Sequence, residues 1–257
     1  MDPAKILIWN VRGLNSTARQ DFVRMLVQAI RADVVCLQET KMETISQRLV
    51  LSTLGPDFCH FLVRPSVGAS GGILIAWKQD IGPADSTRVD AYCATIRLLP
   101  ADGEPWWLTC VYGPQGNDEK INFLQELRLI RTHCQGPWVV TGDFNLIYKE
   151  DKNSANLNRA IMARFRRALD DMALRELPLT GRKFTWSGGG HSPTLSKLDR
   201  VFSTIEWENL FPNCLLQSAA SQDSDHCPLI LGLNDMLPGK GRFQFASFWP
   251  RLAGFRR

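Results

Sequence analysis

The chain has 257 residues, of which 44% are hydrophobic, and it carries a formal net charge of +4 with a pI near 8.7. This length allows a substantial buried core in one unit, and we expect a single domain over residues 1–234 and an irregular linker or tail over residues 235–257. The mild positive charge is compatible with a nucleic-acid partner, but it falls short of the pI above roughly 9 expected of a dedicated basic binder.

The seven cysteines are scattered, odd in number, and form neither a CxxC pair nor a zinc-ligand spacing. This usage favours a reducing compartment. The first residues do not resemble a signal peptide, and no apolar run approaches the ~18–20 residues that a membrane span needs. We therefore expect a soluble intracellular protein with no membrane partner.

Seven short segments rich in β-branched or aromatic residues predict strands. In chain order they cover residues 5–9, 34–37, 72–77, 91–99, 106–112, 138–141 and 228–233. The turn sequence Pro100-Ala101-Asp102-Gly103 joins the fourth and fifth segments and predicts an antiparallel hairpin.

Three amphipathic helices are predicted between these strands. The first begins with a capping box, Thr17-x-x-Gln20, and the second begins at Asn117 or Asp118. The apolar stripes of the three helices consist of Phe22, Leu26 and Ile30; of Ile121, Leu124, Leu127 and Ile130; and of Ile161, Phe165, Leu169 and Met172.

Two mixed sheets packed face to face with helices outside satisfy this pattern. Many of the strands must bury both faces, whereas each helix has only one apolar stripe to bury. A doubly wound sheet is the alternative. It is disfavoured by the hairpin and by the absence of GxGxxG after the first strand. Residues 178–196 contain too much Gly and Pro for regular structure and are expected to form a loop or hairpin beside the site.

Polar residues follow several of these strands directly. Asn10, Glu39, and Asp143 with Asn145 end three of them, and strand ends that meet at one rim can place oxygen ligands around one point. Mg²⁺ prefers such ligands, and Glu39 is the first choice. Each residue alone is more often a turn former, and Asp143-Phe144-Asn145 alone could be an Asx turn.

His226 lies between Asp225 and a strand that Pro228 opens, which places it on a turn at the rim of the sheet. A single histidine is more often structural than catalytic. A carboxylate on one ring nitrogen would fix its tautomer and favour the imidazolium, and Asp199 is the expected partner.

Six motifs in order resemble the endonuclease/exonuclease/phosphatase family over residues 5 to about 233. They are Trp9-Asn10, Gln38-Glu39-Thr40, Val111-Tyr112-Gly113-Pro114, Gly142-Asp143-Phe144-Asn145, Leu198-Asp199-Arg200 and Ser224-Asp225-His226-Cys227-Pro228. The resemblance implies a DNase I-like four-layer α/β sandwich and a Mg²⁺ site, with Mn²⁺ as a possible substitute.

Within this family, the opening from Trp9 to Asn15 and the segment Phe184-Thr185-Trp186 are most similar to endonuclease domains of plant non-LTR retrotransposons (long interspersed elements). That similarity implies DNA as the substrate, nicked on one strand to leave 3′-hydroxyl and 5′-phosphate ends. It also implies a reverse transcriptase domain in a longer polyprotein. Separately, we expect a nuclear location and a monomer.

The resemblance also implies roles for individual residues. Glu39 would hold Mg²⁺ with help from Asn10, and Asp225 would be a further metal or network ligand. Asp143 would orient or deprotonate the attacking water. The residues that would stabilise charge on the phosphate are Tyr112, Asn145, and His226 held by Asp199.

One position departs from the family pattern. Abasic-site endonucleases of the family resemble Asn-x-Asp at the end of the first strand, whereas this chain has Asn10-Val11-Arg12. A cation in place of a carboxylate favours a one-metal site and disfavours strong abasic-site repair.

Seven loop residues are candidates for DNA contacts, which would mainly hold phosphates and sense groove shape. They are Arg12, Asn15, Lys41, Arg64, Lys183, Trp186 and His191. Two alternatives remain open: a phosphatase of the same family acting on a phosphorylated small molecule or lipid headgroup, and a degenerate fragment that only binds DNA.

Overall fold

The computed structural model describes residues 4–68, 70–149, 157–189, 193–220 and 224–234, so the expected tail and His191 lie outside the described residues. The strands are β1 (Lys5–Asn10), β2 (Val34–Gln38), β3 (His60–Val67), β4 (Ser70–Trp77), β5 (Ala84–Val89), β6 (Cys93–Leu98), β7 (Trp106–Tyr112), β8 (Trp138–Asp143), β9 (Arg175–Glu176), β10 (Leu179–Thr180), β11 (Trp186–Ser187), β12 (Leu195–Ser196), β13 (Asp199–Ser203), β14 (Leu215–Ser218) and β15 (Leu229–Gly232). The helices are α1 (Thr17–Ile30), α2 (Gln47–Leu54), α3 (Asn117–His133), α4 (Arg159–Asp171) and α5 (Ile205–Leu210).

The strands form two mixed sheets. The first has the order β10-β14-β15-β1-β2-β4-β3 and the second has the order β5-β6-β7-β8-β13-β9. Within them β1 and β2 run parallel, as do β7 and β8, and the predicted hairpin of β6 and β7 is confirmed as antiparallel. β1 lies in the middle of its sheet, paired on its other side with the last described strand, β15.

The side chains of each central strand alternate between two cores. Ile6 and Ile8 of β1 belong to the core between the sheets, whereas Leu7 and Trp9 face the core under α1 and α2. In the second sheet, Val139 of β8 faces the other sheet, and the residues on either side of it pack with α3 and α4. This alternation is the signature of sheets buried on both faces. The predicted four-layer sandwich is therefore confirmed.

The first helix differs from the prediction at its start and on its buried face. Ser16 is the N-cap and its hydroxyl accepts a hydrogen bond from the backbone N–H of Arg19 at 3.3 Å, so the capping box at Thr17 was wrong by one residue. Val23 and Val27 are the buried residues. The predicted stripe of Phe22, Leu26 and Ile30 is partly buried and packs at the edge of the same core. Spacing alone does not distinguish this stripe from Val23 and Val27, since both sets repeat every four residues along the helix.

The other two predicted helices are confirmed, with one correction at an end. α3 begins at Asn117, and α4 carries Phe165 and Leu169 on its buried face. Met172 follows the last residue of α4 and packs into the same core from outside the helix.

Two helices and several strands were not predicted. β5 has four consecutive polar residues, 85–88, and no strongly apolar face, and β3 is an edge strand that contains Pro65. Residues 178–196 include the short antiparallel ribbon of β11 and β12, as the expectation of a hairpin required. In the described part of the chain, no helix is long and apolar enough to cross a membrane.

Candidate active site

The predicted site residues meet at one rim of the sandwich because their strands end there in register. Asn10 ends β1, Tyr112 ends β7 beside Asp143 at the end of β8, and Asp199 begins β13 opposite Asp143. Glu39 directly follows β2. Parallel neighbours bring their carboxyl ends to the same edge, so motifs far apart in sequence converge here.

A hydrogen bond between the two sheets lies at the centre of this rim. The side-chain amide of Asn10, on the first sheet, donates to Asp143 Oδ2, on the second, at 2.9 Å. The other oxygen of Asp143 accepts from the backbone N–H of Asn145 at 3.0 Å. Asn10 and Asp143 are each 1% exposed, so this pair is shielded from bulk water. Both oxygens of Asp143 are thereby held in a fixed direction.

His226 and Asp199 form a buried pair beside Asp143. The Nδ1 atom of His226 lies 2.9 and 3.1 Å from the two oxygens of Asp199, which leaves Nε2 facing Asp143 Oδ2 at 3.8 Å. The ring nitrogen next to a carboxylate carries the proton, so Asp199 fixes the tautomer as the sequence predicted.

Burial and neighbouring charges displace the pKa values of His226 and of Asp143 beside it. Burial lowers the pKa of His226, but the charge of Asp199 and its hydrogen bond outweigh that effect, and the pKa rises to about 9. Burial, together with repulsion from Asp199, raises the pKa of Asp143 to about 7. The site therefore holds an imidazolium and a carboxyl group that titrates near neutrality.

The ligand atoms of Asp143, Asp199 and His226 lie within 4.8 Å of one another, so this group could hold a metal ion. Its own hydrogen bonds argue against that use, since both oxygens of Asp199 face the His226 ring. Glu39 fits a hard cation better. Its carboxylate is 13% exposed, so that a cation can reach it from solvent. A positive charge already lies there, because the Lys41 ammonium is 3.0 Å from Oε1.

Tyr112 lies against Glu39. Burial raises the pKa of the Tyr112 hydroxyl, and the charges of Glu39 and Asp143 and a hydrogen bond with Glu39 raise it further. The hydroxyl therefore stays protonated and can act as a donor at neutral pH.

The backbone at this rim is under strain. Arg12, Glu39, Lys41 and Asn145 have left-handed φ values of 50°, 54°, 54° and 49°. Such conformations cost energy in non-glycine residues and concentrate at functional sites. Hydrogen bonds hold them in place: the side chain of Asn145 donates to the carbonyl of Gly113 at 2.8 Å. The second N–H of that amide remains available to a ligand.

Gly142 allows the second sheet to bring Asp143 to this position. Its φ is +131°, and a Cβ atom there would lie 2.2 Å from the carbonyl oxygen of Val111 on β7. No other residue fits both the angle and the contact.

Asp225 faces a different part of the rim from Glu39. Its Oδ2 atom accepts from the Arg12 guanidinium and from the indole N–H of Trp186, the latter at 2.9 Å. Its Oδ1 atom is buried, with no hydrogen-bond partner among the described residues. Of the two predicted roles for Asp225, metal ligand or network residue, the geometry places it in a network with Arg12 and Trp186.

Two residues of the quoted motifs have contacts that sequence reasoning did not assign. The hydroxyl of Thr185 accepts from the backbone N–H groups of Leu198 and Asp199 at 3.1 and 3.0 Å. The hydroxyl of Ser224 donates to the carbonyl of Asn10 at 2.9 Å and accepts from the His226 N–H at 3.1 Å. Both lie within the motifs, but hydroxyl contacts to distant backbone leave no trace in a sequence.

The candidate DNA contacts surround this site on two sides. Arg12 and Trp186 lie on the Asp225 side. Lys183 is exposed, with its ammonium 5.4 Å from the centre of the Phe184 ring. Asn15 donates to the backbone carbonyl of Lys41 at 3.3 Å, on the Glu39 side. There a cleft of about 470 Å³ opens, lined by Glu39, Lys41, Arg64, Tyr92, Tyr112 and Gln115 among others.

The fold and the site together define a hydrolase of phosphate esters. The chain belongs to the Endonuclease/Exonuclease/phosphatase family, whose model matches residues 7–226.

Relatives and solved structures agree with this assignment. The chain is 23% identical to an exodeoxyribonuclease of Bacillus subtilis, over 90% of this chain and 99% of that one. Its fold is similar to that of the AP endonuclease LMAP from Leishmania major, with a TM-score of 0.70 and 15% identity over 91% of this chain and 89% of the other. It is also similar to the endonuclease domain of TRAS1, a telomere-specific non-LTR retrotransposon, with a TM-score of 0.66 and 15% identity over 91% and 100% of the two chains.

Proposed function

We propose that this protein is a Mg²⁺-dependent endonuclease that nicks one strand of DNA and leaves 3′-hydroxyl and 5′-phosphate ends. The observation that carries the proposal is the buried hydrogen bond from Asn10 to Asp143, with the His226–Asp199 pair beside it and Glu39 at the same rim. The similarity to a retrotransposon endonuclease domain supports DNA as the substrate.

Asp143 is the group that takes the proton of the attacking water. Its pKa near 7 allows it to be ionised at neutral pH and still to accept a proton. Asn10 and the N–H of Asn145 hold the carboxylate in one orientation, so the water that it binds is also oriented.

Charge that develops on the phosphate is met by donors on three sides. His226 is kept as an imidazolium by Asp199, and its Nε2–H points into the site. The free N–H of Asn145 and the Tyr112 hydroxyl donate to non-bridging oxygens. Mg²⁺ held by Glu39, with Asn10 nearby, would neutralise part of the phosphate charge.

The wider setting follows from the same proposal. A retrotransposon-type endonuclease would work in the nucleus as a monomeric domain, joined in a longer polyprotein to a reverse transcriptase that extends the new 3′-hydroxyl. Asp225 would support the site through Arg12 and Trp186 and would not serve as a main metal ligand.

Nicking of supercoiled plasmid in Mg²⁺ tests the proposal. Wild type should convert it to open circles that a DNA polymerase extends directly and a ligase reseals. Glu39→Ala, Asp143→Ala and His226→Ala should each lose at least about 100-fold in rate, since each removes a charged group acting on the transition state. Asp171→Ala, which removes an exposed carboxylate paired with Arg128, is the matched control and should nick normally.

Equal nicking by wild type and the three site variants would refute the assignment. If wild type cleaves only phosphomonoesters, the protein is a phosphatase of the same family. If it turns over no phosphoester but binds DNA, it is a binding fragment.

A further inference from the structure

The cleft beside Glu39 has no role in the chemistry proposed above. That chemistry belongs to the catalytic row, by which we mean Asn10, Glu39, Tyr112, Asp143, Asn145, Asp199 and His226. It runs from Glu39 and Tyr112 towards the turn between β3 and β4, and its wall includes Arg64 and Tyr92. The cleft shares Glu39 and Tyr112 with the catalytic row. A substrate strand whose reacting phosphate lies at Glu39 would therefore continue directly into the cleft.

Arg64 is a half-buried cation in this wall that has no ion-pair partner among the described residues. Its Nε atom donates to the backbone carbonyl of Asp90 at 3.1 Å, which fixes the plane of the guanidinium. One terminal nitrogen lies over Gly71, where a Cβ atom would come within 3.3 Å of it. The remaining N–H groups of the fork are left for another acceptor.

The acid that most favours the Arg64 charge is already occupied. The carboxylate of Glu126 accepts from the backbone N–H groups of Ala91 and Tyr92 at 3.0 and 2.9 Å. Burial lowers the pKa of Arg64, in keeping with a charge that is desolvated and only partly compensated. A half-buried cation without a partner is costly, and an anionic ligand would remove that cost.

The chemistry of the wall selects the ligand. A guanidinium fork held in one plane suits the paired oxygens of a phosphate. The Lys41 ammonium also lines the wall, but it is paired with Glu39 Oε1 at 3.0 Å. Glu39 is the single acid of the wall and belongs to the catalytic row. Arg64 is therefore the cation of the described wall that is left to bind an anion next to the reacting centre.

We propose that Arg64 binds a phosphodiester group neighbouring the scissile one, so that the cleft holds the substrate strand on one side of the cleavage point. This inference rests on the proposed endonuclease function. It makes Arg64 a binding residue for the strand and gives it no part in the chemical step.

Single neutral phosphates test the contact. The nick site is first mapped on a DNA duplex. A series of duplexes then carries one uncharged methylphosphonate in place of a phosphate, at each position flanking that site in turn. In wild type, one such position should raise KM about tenfold, the usual effect of losing one charge-assisted hydrogen bond. Arg64→Gln should raise KM about tenfold on the unmodified duplex, with kcat within about twofold, and should show no further loss at that position.

Two variants control for charge and folding. Arg97→Gln removes a surface arginine of the other sheet, paired with Asp85, and should leave KM unchanged. Hydrolysis of bis(p-nitrophenyl) phosphate, which is too small to reach the cleft, should be the same in Arg64→Gln and wild type. The inference is overturned if Arg64→Gln leaves KM within about twofold, or if its loss adds to every methylphosphonate loss.

A measurement of DNA binding without cleavage separates this inference from the proposed function. Anisotropy of a labelled duplex in Ca²⁺ does not need turnover. Arg64→Gln should weaken binding about tenfold and should reduce the salt slope by about one, even if wild type nicks nothing. If the substitution weakens binding of a deoxynucleoside monophosphate but not of the duplex, the cleft takes free phosphates and the strand subsite is refuted.

Discussion

Asp199→Asn should move the whole pH profile of cleavage to lower pH. The substitution keeps the shape of the side chain but removes the charge that lies 2.9 Å from His226 Nδ1. The pKa of His226 is about 9, against an ordinary value of 6.5, and Asp199 is the first of the groups that raise it. Without that charge, burial acts with less opposition and the pKa of His226 falls.

The size of the effect follows from the same values. A pKa of about 9 lies about 2.5 units above 6.5, which corresponds to about 3 kcal/mol of preference for the imidazolium. If the variant returns to 6.5 or below, about one tenth or less of His226 is charged at pH 7.5. kcat/KM at pH 7.5 should therefore fall at least about tenfold.

The acid limb should move in the same direction, since repulsion from Asp199 helps to raise the pKa of Asp143 to about 7. In wild type, kcat/KM should rise through about pH 7 and decline through about pH 9, as macroscopic values of the coupled pair. Nicking rates from pH 5 to 10, with an NMR titration of the His226 ring, measure both limbs. Unmoved limbs in the variant would refute the assigned roles.

Three further substitutions test other contacts. Thr185→Val leaves the buried N–H of Asp199 and the partly buried N–H of Leu198 without an acceptor, and should lower the free energy of unfolding by about 2–4 kcal/mol in urea titrations. Thr185→Ser should cost less than about 1 kcal/mol, and equal losses would contradict the role of the hydroxyl. Arg12→Asp removes the cation beside Asp225 and adds a carboxylate, so the number of bound Mn²⁺ ions should rise from one to two. Electron paramagnetic resonance counts the bound ions. An unchanged number would show that Arg12 does not exclude a second ion. Gly142→Ala should lower the free energy of unfolding by more than about 3 kcal/mol, because its Cβ atom would clash with the β7 backbone. Gly181→Ala, at a residue with φ +90° and open space around it, should lower it by only about 1–2 kcal/mol. Similar losses would mean that the backbone angle alone sets the penalty.

The fold was predictable where a strand is apolar on both faces. β2 and β8 begin with continuous apolar runs because both of their faces are buried. β5 lies at a sheet edge and alternates half-buried with exposed residues, so its sequence resembles a loop. The start of α1 was displaced because Ser16 and Thr17 are equally good caps in sequence.

The site was predictable as a set of residues but not as a set of contacts. Asn10, Glu39 and Asp143 were selected because each lies at the end of an apolar strand or directly after it. Within each sheet, parallel pairing places Asn10 beside Gln38 and Tyr112 beside Asp143. The bond from Asn10 to Asp143 depends on how two sheets pack, and the pair of Arg12 with Asp225 joins positions 213 residues apart. Local pattern carries no information about either contact.

The central position of β1 ties the appearance of the site to synthesis of the chain. β1 carries Asn10 but pairs with β15, which ends at Gly232. Closing so long a loop is entropically slow, so local hairpins form before this pairing. We expect a nascent chain that stops short of Leu229 to lack nicking activity. In such a chain β1 lacks its β15 neighbour on one side, and the segment that carries His226 is not held by that pairing. During translation, the proposed nuclease site would therefore be completed only after nearly the whole domain has left the ribosome.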